Sequence, residues 1–187
     1  GSSQRMALHF KKFAEEVTAE HLNPNDPFVV EIGSNDATLL GHFARTSIRH
    51  LGVEPSKNTA QAAKDRGIRT ICDFFDENLA RQIVEENGQA DVILGTNVLC
   101  HISDIHSAAE GIKILLKRGG IAIFEDPYLG DVIRKTSYDQ FYDEHAFIFS
   151  ISSLSYLFKS RGMEIVDVKP QETHGGSMRV YLAHQGS

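Results

Sequence analysis

Phe28-Val29-Val30-Glu31-Ile32-Gly33-Ser34-Asn35-Asp36-Ala37 is the stretch on which the reading of the chain turns. Its first residues are an apolar, β-branched run bounded by Pro27, the pattern of a buried strand. Gly33 breaks that run into a small polar turn, which leads into the helical pattern Ala37, Leu39, Leu40, Phe43 and Ala44. A strand, a glycine turn and a helix make the first βα unit of an open parallel sheet, and ligands bind at such turns. Glycine lets the backbone approach a ligand closely, and the helix start offers unpaired N–H groups. Glu31 brings a carboxylate to the carboxyl end of the strand, where a buried acid wants a cationic or hydroxyl-rich partner.

The pattern repeats outward from this unit. Met6, Phe10, Phe13 and Val17 share one face of a first helix, and His21 to Pro27 is rich in turn residues. Leu51 to Glu54, Arg69 to Cys72, Ala90 to Thr96 and Ile121 to Glu125 read as further strands. Helical segments separate them: one around Ala60 and Ala63 ending at Gly67, one through Glu86, and one from His106 to Lys117. Strand and helix thus alternate five times, the signature of a parallel α/β sheet. Pro127 to Phe149 is aromatic, acidic and irregular, too long for a simple connector. After a helix from Ser152 to Ser160, strands Met163 to Val168 and Met178 to Ala183 follow without a crossover helix, so they should pair antiparallel. This outline predicts an α/β fold of the class I methyltransferase, Rossmann-like kind: seven strands, mostly parallel, with a C-terminal antiparallel hairpin. Residues 1–27 read as a helix and linker, and residues 28–187 as one cofactor-binding domain.

Composition narrows the partners. The chain has 187 residues and a net charge of −6, which argues against nucleic acid. No apolar run is long enough for a membrane span and no signal peptide is evident, so a cytoplasmic protein is expected. The two cysteines, Cys72 and Cys100, lie outside any CxxC or metal spacing and read as reduced, mostly buried thiols. The nine histidines form no HExxH, and no metal is expected.

The turn residues discriminate between cofactors. A nicotinamide domain wants Gly-x-Gly-x-x-Gly because a pyrophosphate must touch the backbone. Here those positions are Gly33, Asn35 and Thr38. S-adenosylmethionine carries no phosphate, and Glu31-x-Gly33-x-Asn35-x-Ala37 approximates the acidic, glycine-spaced turn of its sites. Asn35 suits a positive φ, whereas Ala37 fits only if its φ is already helical. Ser34 and Asp36 complete the turn. Glu54, followed by Pro55, ends the second strand where an acid can take both ribose hydroxyls. Asp73 and Phe74 offer a carboxylate and a ring for an adenine, and Asn97 and Val98 occupy the floor of the cleft after the fourth strand.

Five motifs occur in order: Glu31-Ile32-Gly33-Ser34-Asn35-Asp36, Gly52-Val53-Glu54-Pro55-Ser56, Glu125-Asp126-Pro127-Tyr128, Tyr142-Asp143-Glu144-His145 and His174-Gly175-Gly176-Ser177-Met178-Arg179. With them the chain resembles the deoxysugar C-methyltransferases over essentially its whole length. The resemblance implies methyl transfer from S-adenosylmethionine to a carbon of a nucleotide-linked ketosugar, within deoxysugar and antibiotic biosynthesis, with S-adenosylhomocysteine as product. It differs at Ala37, where the family usually has glycine. It also lacks the family's amino-terminal cysteine-rich zinc module and further carboxy-terminal α/β domain, so flanking domains of a longer parent chain are possible partners.

Methylating carbon beside a ketone requires a base for the α-proton and a donor for the enolate oxygen. Tyr142-Asp143-Glu144-His145 supplies an imidazole, a carboxylate and a phenol in one segment. His145 is expected as the base, Glu144 as its orienting carboxylate and Tyr142 as a hydrogen-bond donor. The residues alone establish only that these groups are neighbours, and the roles follow the resemblance. His101 is expected to face the cleft and belong to the active site. His174 and Arg179 fall in the final hairpin, where Arg179 reads either as a diphosphate contact or as a structural ion pair. Methylation of oxygen or nitrogen on a small molecule, or a non-catalytic cofactor-binding module of a larger assembly, are the competing readings.

Overall fold

A computed structural model describes residues 4–22, 25–173 and 176–187. Seven strands form one sheet: β1 (Phe28–Ile32), β2 (Arg49–Val53), β3 (Thr70–Ile71), β4 (Ala90–Thr96), β5 (Leu116–Pro127), β6 (Met163–Gln171) and β7 (Ser177–His184). Their order is β3-β2-β1-β4-β5-β7-β6. β1 to β5 are parallel, while β7 runs antiparallel between β5 and β6. The missing crossover between the last two strands therefore reports their direction correctly. β1 sits at the centre of the parallel part, and all five of its residues are buried, as its continuous apolar run requires.

Helices cover both faces. α1 (Gln4–His21), α2 (Leu40–Ala44), α3 (Lys57–Asp65), α4 (Glu77–Asn87), α5 (Ile105–Leu115), α6 (Leu129–Lys135) and α7 (Ile151–Lys159) are joined mostly by short loops. One core lies under α4, α5 and α7 and includes Leu79, Ile83, Ile112, Leu154 and Phe158. A second joins Phe13 and Val17 of α1 and Leu40 and Phe43 of α2 to Val29, Val92 and Tyr181 of the sheet. No helix among the described residues is long and apolar enough to cross a membrane.

Two local expectations change. α2 begins at Leu40 rather than at Ala37, because the polar turn runs through Leu39. The irregular stretch after Asp126 contains α6 and a short 3₁₀ turn, Tyr138–Gln140. Its aromatic and acidic residues obscure a helix that opens with no side-chain cap and ends at Thr136, with φ of 55°.

Candidate active site

The carboxyl ends of β1, β2 and β4 open into a cavity of about 950 Å³. Glu31, Gly33, Ser34, Asn35, Asp36, Glu54, Pro55, Phe74, Asn97, Val98, His101, Tyr142 and Glu144 all line it. The fold thus brings together nearly the whole set of residues picked out in the sequence. His145 stands behind Tyr142 and does not line the cavity.

The β1 turn is built from left-handed residues: Gly33, Asn35 and Ala37 have φ of 65°, 52° and 57°. A Cβ at Gly33 would lie 2.5 Å from Val98 Cγ2, so the position excludes every other residue on two grounds. The left-handed φ of Ala37 corrects the expectation of an ordinary helical conformation there. Ala37 N–H donates to Ser34 O at 2.8 Å, closing a turn over Asn35 and Asp36 that delivers the chain to Ala37. Its methyl group is fully buried in the core that joins α1 and α2 to the sheet, which explains how an alanine is held in an unfavourable region.

Two acids organise the turn. Glu31, 2% exposed, accepts from Leu40 N–H at the start of α2 at 3.0 Å. Its partner is therefore the helix start rather than a cation. Burial raises its carboxyl well above the ordinary range against the Leu40 hydrogen bond, and the charges of Asp36 and Glu54 add to the rise. Glu54 accepts from Asn35 N–H at 3.0 Å and from Ser56 N–H at 2.9 Å. One backbone donor on each oxygen fixes the carboxylate and leaves lone pairs for hydroxyls.

Asp73 differs from expectation. Its carboxylate turns back to accept from Phe74 N–H at 2.8 Å, and it does not line the cavity. Short side chains of this kind bond their own backbone in turns in preference to reaching outward. Phe74 stands 76% exposed at the cavity rim, whereas Phe75 enters the core. Cys72 is also exposed, against the expectation of a buried thiol, while Cys100 is buried.

The opposite wall is made by the 3₁₀ turn Leu99–His101 and the segment around Tyr142. His101 Nδ1–H donates to Glu144 O at 2.7 Å, and its Nε2 accepts from Asn97 Nδ2 at 3.2 Å. His145 Nδ1–H donates to Gln140 O at 2.7 Å, so its Nε2 is left to accept from the Tyr142 hydroxyl at 2.9 Å. The orienting group of His145 is thus the Gln140 carbonyl and not the Glu144 carboxylate. In the tight turn closed by His145 N–H on Tyr142 O, it is Tyr142 that reaches back to His145. Phe147 N–H on Cys100 O, at 3.2 Å, ties the segment to the 3₁₀ turn. Beneath that turn, Asp126 Oδ1 accepts from Cys100 N–H at 3.1 Å, and burial raises the Asp126 carboxyl.

Several cavity residues carry no sequence signal for it. Met6 and Phe10 belong to the apolar stripe of α1, along which Phe13 and Val17 enter the core, Phe10 packs against that core and lines the cavity, and Met6 lines the cavity. His9 and Thr173 donate to Glu125 at 2.8 Å each. Arg179 donates to Glu125 at 3.1 Å and to Glu16 at 2.8 Å, with its guanidinium 3.8 Å from the Phe13 ring centre. Arg179 is therefore a structural ion pair that fastens α1 to the sheet. Burial opposes ionisation of Glu125, but His9, Arg179 and Thr173 outweigh it and lower its carboxyl. His174 lies outside the described residues.

The cavity suits S-adenosylmethionine on its own geometry. Ser34 Oγ is buried without a hydrogen-bond partner, a Cβ at Gly33 would crowd Val98 in the cavity floor, and Glu54 keeps lone pairs for a diol. An open α/β sheet with this crevice and a β7 strand inserted antiparallel is the class I methyltransferase fold. Residues 5–168 match the family described as methyltransferase domain, and the chain belongs to this family of S-adenosylmethionine-dependent enzymes. Among characterised relatives it is 35% identical over 176 residues to the C-methyltransferase NovU of Streptomyces niveus. That match covers 94% of this chain and 42% of NovU, so the chain spans about two fifths of its relative. Solved structures agree on the fold. A S-adenosylmethionine-dependent methyltransferase from Clostridium acetobutylicum superposes with a TM-score of 0.73 at 15% identity, covering 96% of this chain and 92% of that one. The magnesium protoporphyrin IX methyltransferase of Synechocystis PCC 6803, solved with bound S-adenosylhomocysteine, gives 0.71 at 15% identity, covering 96% and 84%.

Proposed function

We propose that this chain transfers a methyl group to the carbon beside a ketone, on a nucleotide-linked deoxysugar, through an enolate. The observation that carries the reading is the hydrogen bond from Tyr142 to His145 Nε2 at the cavity wall. The five sequence motifs and the similarity to the C-methyltransferase NovU support the acceptor class.

When bound, S-adenosylmethionine supplies an electrophilic methyl group. Glu54 would hold the cofactor's ribose hydroxyls, and Gly33, Ser34, Asn35, Asp36, Asn97 and Val98, which line the same cavity, would hold the rest of it. The remaining chemistry is a proton transfer. Tyr142 is the half of the dyad that lines the cavity, and His145, locked on Gln140 O, is its acceptor. The Tyr142 oxygen takes the substrate α-proton while its own proton passes to His145 Nε2, leaving an imidazolium and an enolate. Burial, then the neighbouring Cys100 and Glu144, raise the Tyr142 phenol, so it stays protonated at rest and needs that acceptor. The Asn97 amide and the hydroxyls of Ser103 and Ser107 line the same cavity and are available to the enolate oxygen.

Two measurements test this. Calorimetric titration with S-adenosylhomocysteine and with thymidine diphosphate separates a complete site from a cofactor half awaiting flanking domains. Incubating a thymidine-diphospho-ketosugar with the S-adenosylhomocysteine complex in deuterated water should exchange the α-proton. Methyl transfer to oxygen or nitrogen with no such exchange overturns the enolate reading.

A further inference from the structure

We propose that Cys100, His101 and His145 form a binding site for a thiophilic divalent cation, zinc(II) being the ion that fits. We infer that its occupation switches off the proton acceptor behind Tyr142. The second half rests on the function proposed above, and the binding half does not.

One ligand atom from each of the three side chains lies within 4.8 Å of the other two. Cys100 and His101 are consecutive in the 3₁₀ turn, and His145 comes from the segment pinned against it, with the two imidazole centres 4.8 Å apart. The sequence hides this grouping because His145 follows only after β5 and α6. Each imidazole already donates Nδ1–H to a backbone carbonyl, Glu144 O and Gln140 O, at 2.7 Å. That is the outer support metal-binding histidines use to aim the other nitrogen as a ligand. Nothing in the proposed proton transfer requires His101 to be supported in this way.

The groups now occupying the ligand atoms are neutral. Asn97 Nδ2 meets His101 Nε2 at 3.2 Å, the Tyr142 hydroxyl meets His145 Nε2 at 2.9 Å, and Cys100 Sγ–H points at Asn97 Oδ1 at 3.7 Å. A cation displaces these contacts together with the hydrogen-bonded approach of the Cys100 thiol to the buried Asp126 carboxyl. Ligand atoms of a tetrahedral zinc stand about 3.3–3.7 Å apart, so the cluster must close by about 1 Å. Tyr142, Asp143, Glu144 and Ala146 around His145 are exposed, which leaves room for that closure. One sulfur and two imidazoles select zinc over magnesium or calcium. As the S–Zn bond forms, the Cys100 thiol releases its proton to water. Burial and Asp126 raise that thiol, which makes the site weaker than one built on an exposed cysteine. Three protein ligands leave a fourth position for water. With Nε2 of His145 bound to metal, the phenol of Tyr142 loses its imidazole acceptor.

The test begins with cobalt(II) and zinc(II) titrated into the full chain without substrate. One equivalent of cobalt should raise a thiolate-to-cobalt charge-transfer band, which zinc then abolishes. Cys100→Ala and His145→Asn should each lose the band and weaken zinc binding by at least about 100-fold. Cys100→Ser, which keeps the buried volume, guards against loss through misfolding, checked by circular dichroism. Zinc should stop methyl transfer in the wild type, while Cys100→Ala stays active and resists zinc. An absent band, or unweakened zinc binding in a folded Cys100 variant, overturns the site. Binding that leaves methyl transfer untouched overturns the switch, and α-proton exchange without metal independently tests the function beneath it.

Discussion

The carboxyl ends of β1 and β2 and the segment from Tyr142 to His145 face one cavity but are held by different means. On the first wall, Glu31 and Glu54 are buried and bonded to backbone N–H groups of the elements beside them. On the second, Tyr142 and Glu144 are exposed, and the imidazoles hang on single carbonyls contributed by a loop and a 3₁₀ turn. One wall is part of the folding core and the other is fastened to it. Substitutions should therefore separate into those that alter cofactor affinity together with stability and those that alter turnover alone.

The largest effect expected is at the second wall. His145→Asn should lower turnover by about 10²–10⁴-fold, the usual contribution of a positioned base. Affinity for S-adenosylhomocysteine, measured by calorimetry, should stay within a few-fold. Tyr142→Phe should fall in the same direction. If His145→Asn also loses the cofactor, the two walls are one unit and the contrast fails.

Gly33→Ala should do the opposite. A left-handed alanine costs about 1–2 kcal/mol, and its Cβ would sit 2.5 Å from Val98 Cγ2 in the floor of the cavity. Both cofactor affinity and melting temperature should drop, with calorimetry and thermal denaturation reading the two. A variant with lowered affinity but unchanged melting would detach the turn from the core.

These two walls were not equally legible. The first is written in local chemistry: a β-branched run, a glycine, an asparagine fit for positive φ, and an acid closing each of two strands. Its residues lie within one βα unit and the next strand, so spacing alone assembles them. Tyr142 to His145 could be recognised as carrying reactive groups, but which group faces the cavity depends on a turn without periodicity. That is why Glu144 was expected behind His145 where the Gln140 carbonyl stands. Likewise the position of Asp73 after β3 points to the cleft, and the competition of its own backbone for the carboxylate leaves no trace in the pattern. The contribution of α1 was hidden for another reason. An apolar stripe does not reveal where the core ends and a cavity begins, so Met6 and Phe10 read like Phe13.

A smaller effect sharpens the claim that the first wall is core. The Glu31 carboxyl is raised in the folded protein from an ordinary value of 4.5. Its protonated form is the one the fold favours. The stability this gives is therefore complete below that ordinary value and is lost as pH rises through the raised one. Glu31→Gln stays neutral and should escape the loss. It should flatten the decline in stability above the ordinary carboxylate range, as denaturant titrations at mildly acidic and mildly alkaline pH would register. The wild type and the variant losing stability in parallel would mean the carboxylate is solvated and the wall is open.

The smallest effect is expected at Ala37, where strain and packing nearly cancel. Replacing it with glycine relieves a left-handed alanine by about 1–2 kcal/mol. Against this, a fully buried methyl is lost, worth about 0.8 kcal/mol, and glycine adds unfolded-state freedom worth about 0.4–1 kcal/mol. Ala37→Gly should thus change stability by less than about 1 kcal/mol and leave cofactor affinity alone. Ala37→Val should not be tolerated, since a β-branched residue at a φ of 57° adds strain with no space to relieve it. A loss well above that bound in Ala37→Gly would mean that the methyl group clamps α1 and α2 together. The turn would then depend on packing from behind rather than on its own backbone, and the first wall would be fastened in the same manner as the second.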